Sequence, residues 1–144
     1  MRVAAPVLAA LALLITAAGL ALAPPRALAF DSDQFCIAAR QVVRSTGVDV
    51  GTWIDRTTRY DGYDIGCDLK TVHFKRFHKS SGAPTTAWME RQAEIWESAY
   101  CNNSLWRDGV ANGWVISATV TTASGARVWL ACLPTGKGFY RVMQ

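Results

Sequence analysis

Polar and apolar residues alternate most clearly near the end of the chain, over residues 113–133. Two runs of β-forming residues flank a Ser124-Gly125 turn there, which predicts a β-hairpin. A two-residue turn would place Val120 opposite Trp129. One face of this hairpin is then almost wholly apolar, consisting of Trp114, Ile116, Ala118, Val120, Trp129, Ala131 and Leu133. Such a face needs a cover, which helices supply most simply.

Two other stretches have the periodicity of amphipathic helices. The first follows possible capping residues at 31–33 and ends at Gly47. Its apolar stripe consists of Phe35, Ala38, Ala39, Val42 and Val43. The second begins after Thr85 or Thr86 and stops near residues 101–103. Residues 105–107 could add a short extra turn.

Two further strands are predicted over residues 48–59 and 67–78, joined by a turn at 60–66 that is rich in Asp and Gly. The element order is therefore α-β-β-α-β-β. Connections this short favour antiparallel pairing. We predict a small two-layer α+β fold, a four-stranded antiparallel sheet with both helices packed on one face. Residues 139–143 are also compatible with a short final strand.

The N-terminus resembles a secretory signal peptide. Arg2 precedes an uncharged run at residues 3–23, and Ala27-Leu28-Ala29 forms a cleavage pattern of small residues. We therefore predict a signal peptide at residues 1–29 and a single α+β domain at residues 30–144, in a periplasmic or secreted protein. The alternative is that residues 3–23 stay uncleaved as a membrane anchor. Only in that case would the protein be tied to a membrane.

Cleavage would also change the charge of the protein. Loss of Arg2 and Arg26 leaves 13 basic residues against 11 acidic ones, a net charge of +2 in place of +4. The sequence pI of about 9.1 therefore overstates how basic the mature chain is. Nucleic acid is not an expected partner on this ground.

The mature chain has four widely separated cysteines: Cys36, Cys67, Cys101 and Cys132. In an exported chain an even number of separated cysteines predicts disulfides, here two. Three pairings are possible. Cys36 with Cys67 and Cys101 with Cys132 is favoured, because each bridge would tie a helix to the strand that follows it.

Tryptophan is unusually frequent, at positions 53, 88, 96, 106, 114 and 129. Trp88, Trp96, Trp114 and Trp129 fall on predicted buried faces and are assigned to the core. Trp53 and Trp106 are less constrained. These two are the tryptophans predicted to bind a partner, if any does.

The densest positive charge lies at residues 70–79, where Lys70, Lys75 and Arg76 are candidate binding residues for an anion. Strand alternation would point Lys70 and Arg76 away from Lys75. A solvated edge strand, in which lysines block further pairing, explains the segment better than an anion-binding module.

His73 could act as a general base beside an aspartate. Five aspartates precede it: Asp49, Asp55, Asp61, Asp64 and Asp68. No common hydrolase motif accompanies them. His73 and His78 would lie on opposite faces of one strand, so no metal or other cofactor is predicted.

These features predict a small, exported, disulfide-containing protein that is not an enzyme. It would act as a binding, accessory or inhibitor protein on a macromolecule outside the cytoplasm. A hydrolase using His73 and an anion-binding module at residues 70–79 remain alternatives. The binding function predicts an exposed apolar or aromatic patch.

Overall fold

The computed structural model describes residues 28–46, 48 and 51–143. This part of the chain has helices α1 (Ser32–Ser45), α2 (Thr86–Trp96) and α3 (Ser104–Ala111), with a π-helical turn (Glu97–Cys101) after α2. It also has strands β1 (Thr58–Gly66), β2 (Thr71–His78), β3 (Val115–Thr122), β4 (Arg127–Cys132) and β5 (Gly138–Met143). The fold is mixed α+β, as predicted. The proposed signal peptide lies almost entirely outside the described residues.

The starts of α1 and α2 follow from local capping. The Asp31 carboxylate accepts hydrogen bonds from the N–H groups of Asp33 and Gln34, which begins α1. The Thr85 hydroxyl accepts one from the N–H of Trp88 and begins α2. The residues predicted as a short extra turn form part of α3.

The sheet has five strands in the order β1-β2-β3-β4-β5, and not the four that were predicted. Strands β2 and β3 are parallel, with Thr71 opposite Val115 and His78 opposite Thr122, while the other neighbours are antiparallel. The all-antiparallel prediction is wrong because residues 79–114 contain two helices. This long connection carries the chain back to the end where β2 begins.

The first strand also differs from its prediction, because residues 60–66 belong to β1 and do not form a turn. Asp55 explains the late start of β1. Its carboxylate accepts hydrogen bonds from the N–H groups of Thr57 and Thr58, at 2.6 and 2.7 Å, which closes a turn there. Gly62, with a φ of 121°, lies at a bulge within β1, so it bends the strand without ending it.

The β3–β4 hairpin is shifted by one residue from its predicted register. Val120 lies opposite Val128, and not opposite Trp129. Three residues connect the hydrogen-bonded Thr122 and Ala126, and the last of them, Gly125, has a φ of 85°. Because a shift of one residue exchanges the two faces of a strand, Trp129 points away from the helices.

The two faces of the sheet have different surroundings. Even-numbered residues of β2 to β5 point towards the helices, and Phe74, Ile116 and Leu130 are fully buried there with Trp96 of α2. Full burial of such side chains contributes roughly 1.5–3 kcal/mol each. The odd-numbered residues of β2 to β5 form the opposite side, called the open face below. Within the described residues, no helix packs on it.

Two disulfides hold helical segments to the sheet. Cys36–Cys67 joins α1 to the β1–β2 turn, and Cys101–Cys132 joins the π-helical turn to β4. These are the pairs favoured from the sequence. Each closes a separation of 31 residues, which by loop entropy contributes about 3–4 kcal/mol.

Candidate functional site

The three basic candidates do not form one surface. Lys70 is exposed in the β1–β2 turn, at a φ of 51°. Lys75 lies on the open face, where its Nζ is 2.8 Å from the carboxylate of Asp64. Arg76 points into the core and is only 5% exposed. The expected alternation is present, but β2 is an interior strand, so the prediction of an edge strand is wrong.

The two tryptophans predicted to bind a partner have opposite environments. Trp53 is 44% exposed and carries the Lys79 ammonium 4.2 Å from its ring centroid. Trp106 is 3% exposed and packs in the core, because α3 turns it inwards. Trp106 is therefore not a free surface platform.

The tryptophans assigned to the core are divided as well. Trp96 and Trp114 are buried. Trp88 is partly buried and meets His78 edge to face, with ring centroids 5.0 Å apart. Trp129 lies half-buried on the open face, because the hairpin register is shifted by one residue from the prediction. Its assignment to the core is therefore wrong.

His73 lies half-buried on the open face. Its Nδ1 is 2.8 Å from the Ser117 Oγ, and its Nε2 is 3.0 Å from the Thr119 Oγ1. Burial lowers the pKa of His73 below its ordinary value, although the charge of Asp64 acts to raise it. The imidazole is thus held neutral, with one nitrogen donating a hydrogen bond and the other accepting one.

Asp64 is the aspartate opposite His73 in the sheet. Its carboxylate pairs with Lys75, and both nitrogens of His73 are taken by hydroxyl groups. Although partial burial raises the pKa of Asp55, hydrogen bonds within its turn lower it below its usual value. The remaining candidates are Asp61 in an ion pair with Arg59 (3.7 Å), Asp68 in the exposed β1–β2 turn, and Asp49 outside the described residues.

Aromatic rings on the open face are paired with cations. The Cζ of Arg141 is 5.4 Å from the ring centroid of Trp129, and that of Arg59 is 4.8 Å from the centroid of Phe77. Phe139, which is 39% exposed, meets Trp129 edge to face with centroids 6.1 Å apart. Each cation–π contact contributes about 0.5–1 kcal/mol at an exposed site. The face therefore presents aromatic surface together with positive charge.

Arg76 is surrounded by aromatic rings on the other side of the sheet. Its Cζ lies 5.3, 5.0 and 5.5 Å from the ring centroids of Tyr60, Trp96 and Tyr100. Its Nη2 donates a hydrogen bond of 3.5 Å to the Tyr60 hydroxyl, which is also hydrogen-bonded to the Tyr100 hydroxyl. Burial raises the pKa of Tyr100, so this hydroxyl keeps its proton at neutral pH.

A cavity of about 250 Å³ lies beside this cluster. Its buried wall includes Val43, Phe74, Arg76, Tyr100 and Trp106. Its outer part is lined by the exposed residues Thr46, Ile54, Ile95, Ala99 and Asn103. Arg76 and Trp106 thus meet in one site, while Lys70, Lys75 and Trp53 lie outside it.

Tyr60 and Tyr100 belong to this site, although the sequence did not single them out. Tyr60 falls in the segment predicted as a turn, and Tyr100 falls near the end of the second predicted helix. The π-helical turn brings Tyr100 onto Trp96, with stacked rings 4.1 Å apart. Such turns are frequent at functional sites, but no pattern in this sequence indicates one.

Within the described part of the chain, no group of three or more His, Cys, Asp or Glu side chains could hold a metal ion. None of the described helices is both long and apolar enough to cross a membrane. Residues 3–23, the alternative anchor, lie outside the described residues.

Comparison with known proteins gives little further information. No protein-family model and no curated protein sequence matches this chain. Among solved structures, it is similar to the crystal structure of a "putative secreted protein" from Pseudomonas aeruginosa. The two are 12% identical, the match covers 78% of this chain and 91% of the other, and the TM-score is 0.48. A similarity of this degree supports no conclusion about this chain.

Proposed function

We propose that this chain is an exported, non-catalytic binding protein that engages a protein partner outside the cytoplasm through its open face. The two disulfides support export, because such bridges form and persist mainly in oxidising compartments. Within this proposal the partner is a macromolecule that the chain assists or inhibits.

The open face is the observation that carries this proposal. It combines the exposed ring of Phe139 with Trp129 and with the guanidinium of Arg141 stacked on it. Trp, Phe and Arg are enriched at protein interfaces and often carry most of the binding energy. The cations Arg127 and Arg141 point from this face, and Lys75 there is paired with Asp64, so the surface carries net positive charge that fits an acidic protein.

The surroundings of His73 support a non-catalytic role. A histidine that activates a hydroxyl nucleophile is normally oriented by an acidic group on its other ring nitrogen. Both nitrogens of His73 contact hydroxyl groups, and Asp64 contacts Lys75. The anion-binding alternative is disfavoured because Lys70, Lys75 and Arg76 point to three different places.

The test uses residues 30–144 with both disulfides formed, immobilised and exposed to the extracytoplasmic proteins of the native host. The double variant Trp129→Ser/Phe139→Ser is compared with Ile37→Ser, which changes an apolar residue of α1 that is 49% exposed. We expect an acidic protein to bind the wild type and Ile37→Ser but not the double variant. The purified pair should dissociate as salt rises from about 0.1 to about 1 M, where charges are screened over about 3 Å.

Undiminished binding of that protein by the double variant would contradict the proposal. Salt-sensitive retention on a heparin column that depends on Lys70 and Lys75 would favour the anion-binding alternative. Hydrolytic activity that disappears in His73→Gln would favour the hydrolase.

A further inference from the structure

Among the described residues, Arg76 is a buried cation without an anionic partner. A guanidinium has five N–H donors. Arg76 makes one hydrogen bond, of 3.5 Å to the Tyr60 hydroxyl, and its buried Nε has no partner among the described residues. None of the ion pairs in this part of the chain involves it. Buried charges in proteins are normally paired, so this guanidinium is placed to receive an anion.

The cavity beside Arg76 gives such an anion room and a path from solvent. Its volume is about 250 Å³, whereas a cavity of about 150 Å³ can hold benzene. Phe74, Trp106 and Val43 make its inner wall apolar. The exposed side chains of Ile54 and Ile95 lie in its outer part. A ligand that fits must carry a compact apolar body as well as a charge.

The polar groups in the cavity match a single negative charge. Tyr60 and Tyr100 share one hydrogen bond, so one of their two hydroxyl protons remains available. This hydroxyl proton and the N–H groups of the Arg76 guanidinium together can donate hydrogen bonds to one planar, singly charged group. A phosphate dianion would call for further cations. A carboxylate is the better match.

We propose that this cavity binds a small organic carboxylate, with the carboxylate at Arg76 and the apolar body against Phe74 and Trp106. Arg76 points to the opposite side of the sheet from the open face, so this site does not depend on the protein partner proposed above. The cation–π contacts of Arg76 hold the guanidinium in place for the ligand.

The test is calorimetric titration of disulfide-intact residues 30–144 with 2-naphthoate, and with its neutral isostere 2-naphthamide. We expect 2-naphthoate to bind with a dissociation constant below about 1 mM. The amide should bind about tenfold more weakly or worse, because its neutral group with a single acceptor oxygen cannot form the charged, bidentate pair with the guanidinium. Octanoate, a carboxylate with a flexible body, is titrated in parallel.

Variants separate the carboxylate contact from the cavity itself. Arg76→Met should weaken the binding of 2-naphthoate about tenfold or more. Arg107→Met, at an exposed arginine of α3, should leave this affinity unchanged. Ala99→Phe narrows the mouth of the cavity, leaves Arg76 in place and should abolish binding. This second variant keeps the test decisive if Arg76→Met does not fold. Trp129→Ser/Phe139→Ser should bind 2-naphthoate as the wild type does, so the two proposals can fail separately.

Three results would overturn this proposal. One is the absence of binding of both carboxylates at millimolar concentration. Another is equal affinity for the acid and the amide. The third concerns Asp49, which lies outside the described residues: binding seen only in Asp49→Asn would mean that this aspartate already satisfies Arg76.

Discussion

Two arginines stack on aromatic rings on opposite sides of the same sheet. Arg141 lies over Trp129 on the open face and is exposed, so water can satisfy its donors. Arg76 is enclosed by Tyr60, Trp96 and Tyr100 and is almost removed from solvent. The same contact therefore has different consequences: Arg141 remains a hydrated cation, whereas Arg76 is a buried cation with no anionic partner among the described residues.

The contrast between the two faces can be tested most strongly at their tryptophans. Trp96→Ala removes a fully buried indole from the core and should lower the free energy of unfolding by about 3–5 kcal/mol. Trp129→Ala removes a half-buried ring from the open face and should cost about 1 kcal/mol. Urea unfolding of the oxidised proteins gives both values. Equal losses would mean that the open face is covered in solution.

A glycine on the helical side tests how tightly that side is packed. A Cβ at Gly109 would lie 2.3 Å from the ring of Phe35, so Gly109→Ala should cost about 1–3 kcal/mol, although alanine favours helices. Gly82→Ala, in a loop where the nearest atom is the Ser80 Oγ at 3.7 Å, should change stability by less than about 0.5 kcal/mol. Thermal unfolding measures both. A neutral Gly109→Ala would indicate loose packing, and the cavity beside Arg76 would lose its significance.

The smallest expected effect is a pH dependence at His73. Its pKa is lowered in the folded protein, chiefly by burial, so the unfolded chain binds more protons just below pH 6.5. Stability contributed by the neutral imidazole is therefore present above pH 6.5 and is lost as pH falls through the folded pKa. We expect a loss below about 1 kcal/mol, because His73 is half-exposed to screening water.

This pH effect is measured as the difference in unfolding free energy between the wild type and His73→Gln, from about pH 7.5 to about pH 5. Asp55 and Glu97 also have lowered pKa values, from ordinary values of 3.8 and 4.5. The stability that their charged forms contribute is therefore lost only at a pH below the range of this measurement. Parallel curves for the two proteins would contradict the role given to His73.

Features that depend on residues close together in the chain, such as the helix starts, could be predicted from the sequence. Asp31 and Thr85 cap α1 and α2, as their positions before apolar stripes indicated. The parallel pairing of β2 with β3 could not be obtained in this way, since it depends on where a long helical connection returns. The hairpin register depended on one loop residue, and that residue decided on which face Trp129 lies.

The candidate site could be predicted only in part, for similar reasons. Alternation in β2 correctly predicted that Arg76 and Lys75 point to opposite faces of the sheet. The sequence did not show that the side of Arg76 is buried, nor that Tyr60 and Tyr100 converge there from β1 and the π-helical turn. Burial of a charge depends on packing between distant segments, and a pattern of neighbours in the chain does not record it.

The positions of the two disulfides divide the molecule in a way that bears on how it could come apart. Cys36–Cys67 lies in the part of the chain that ends with β2, and Cys101–Cys132 lies in the part that begins with α2 and contains β3. These two parts meet in the sheet where β2 pairs with β3. Neither disulfide joins these two parts, so the peptide linker at residues 79–85 is the covalent connection between two modules that each contain one disulfide. A cut in that linker should leave fragments able to reassemble by complementation. An intact chain has the same means to exchange modules with a second copy and form a swapped dimer.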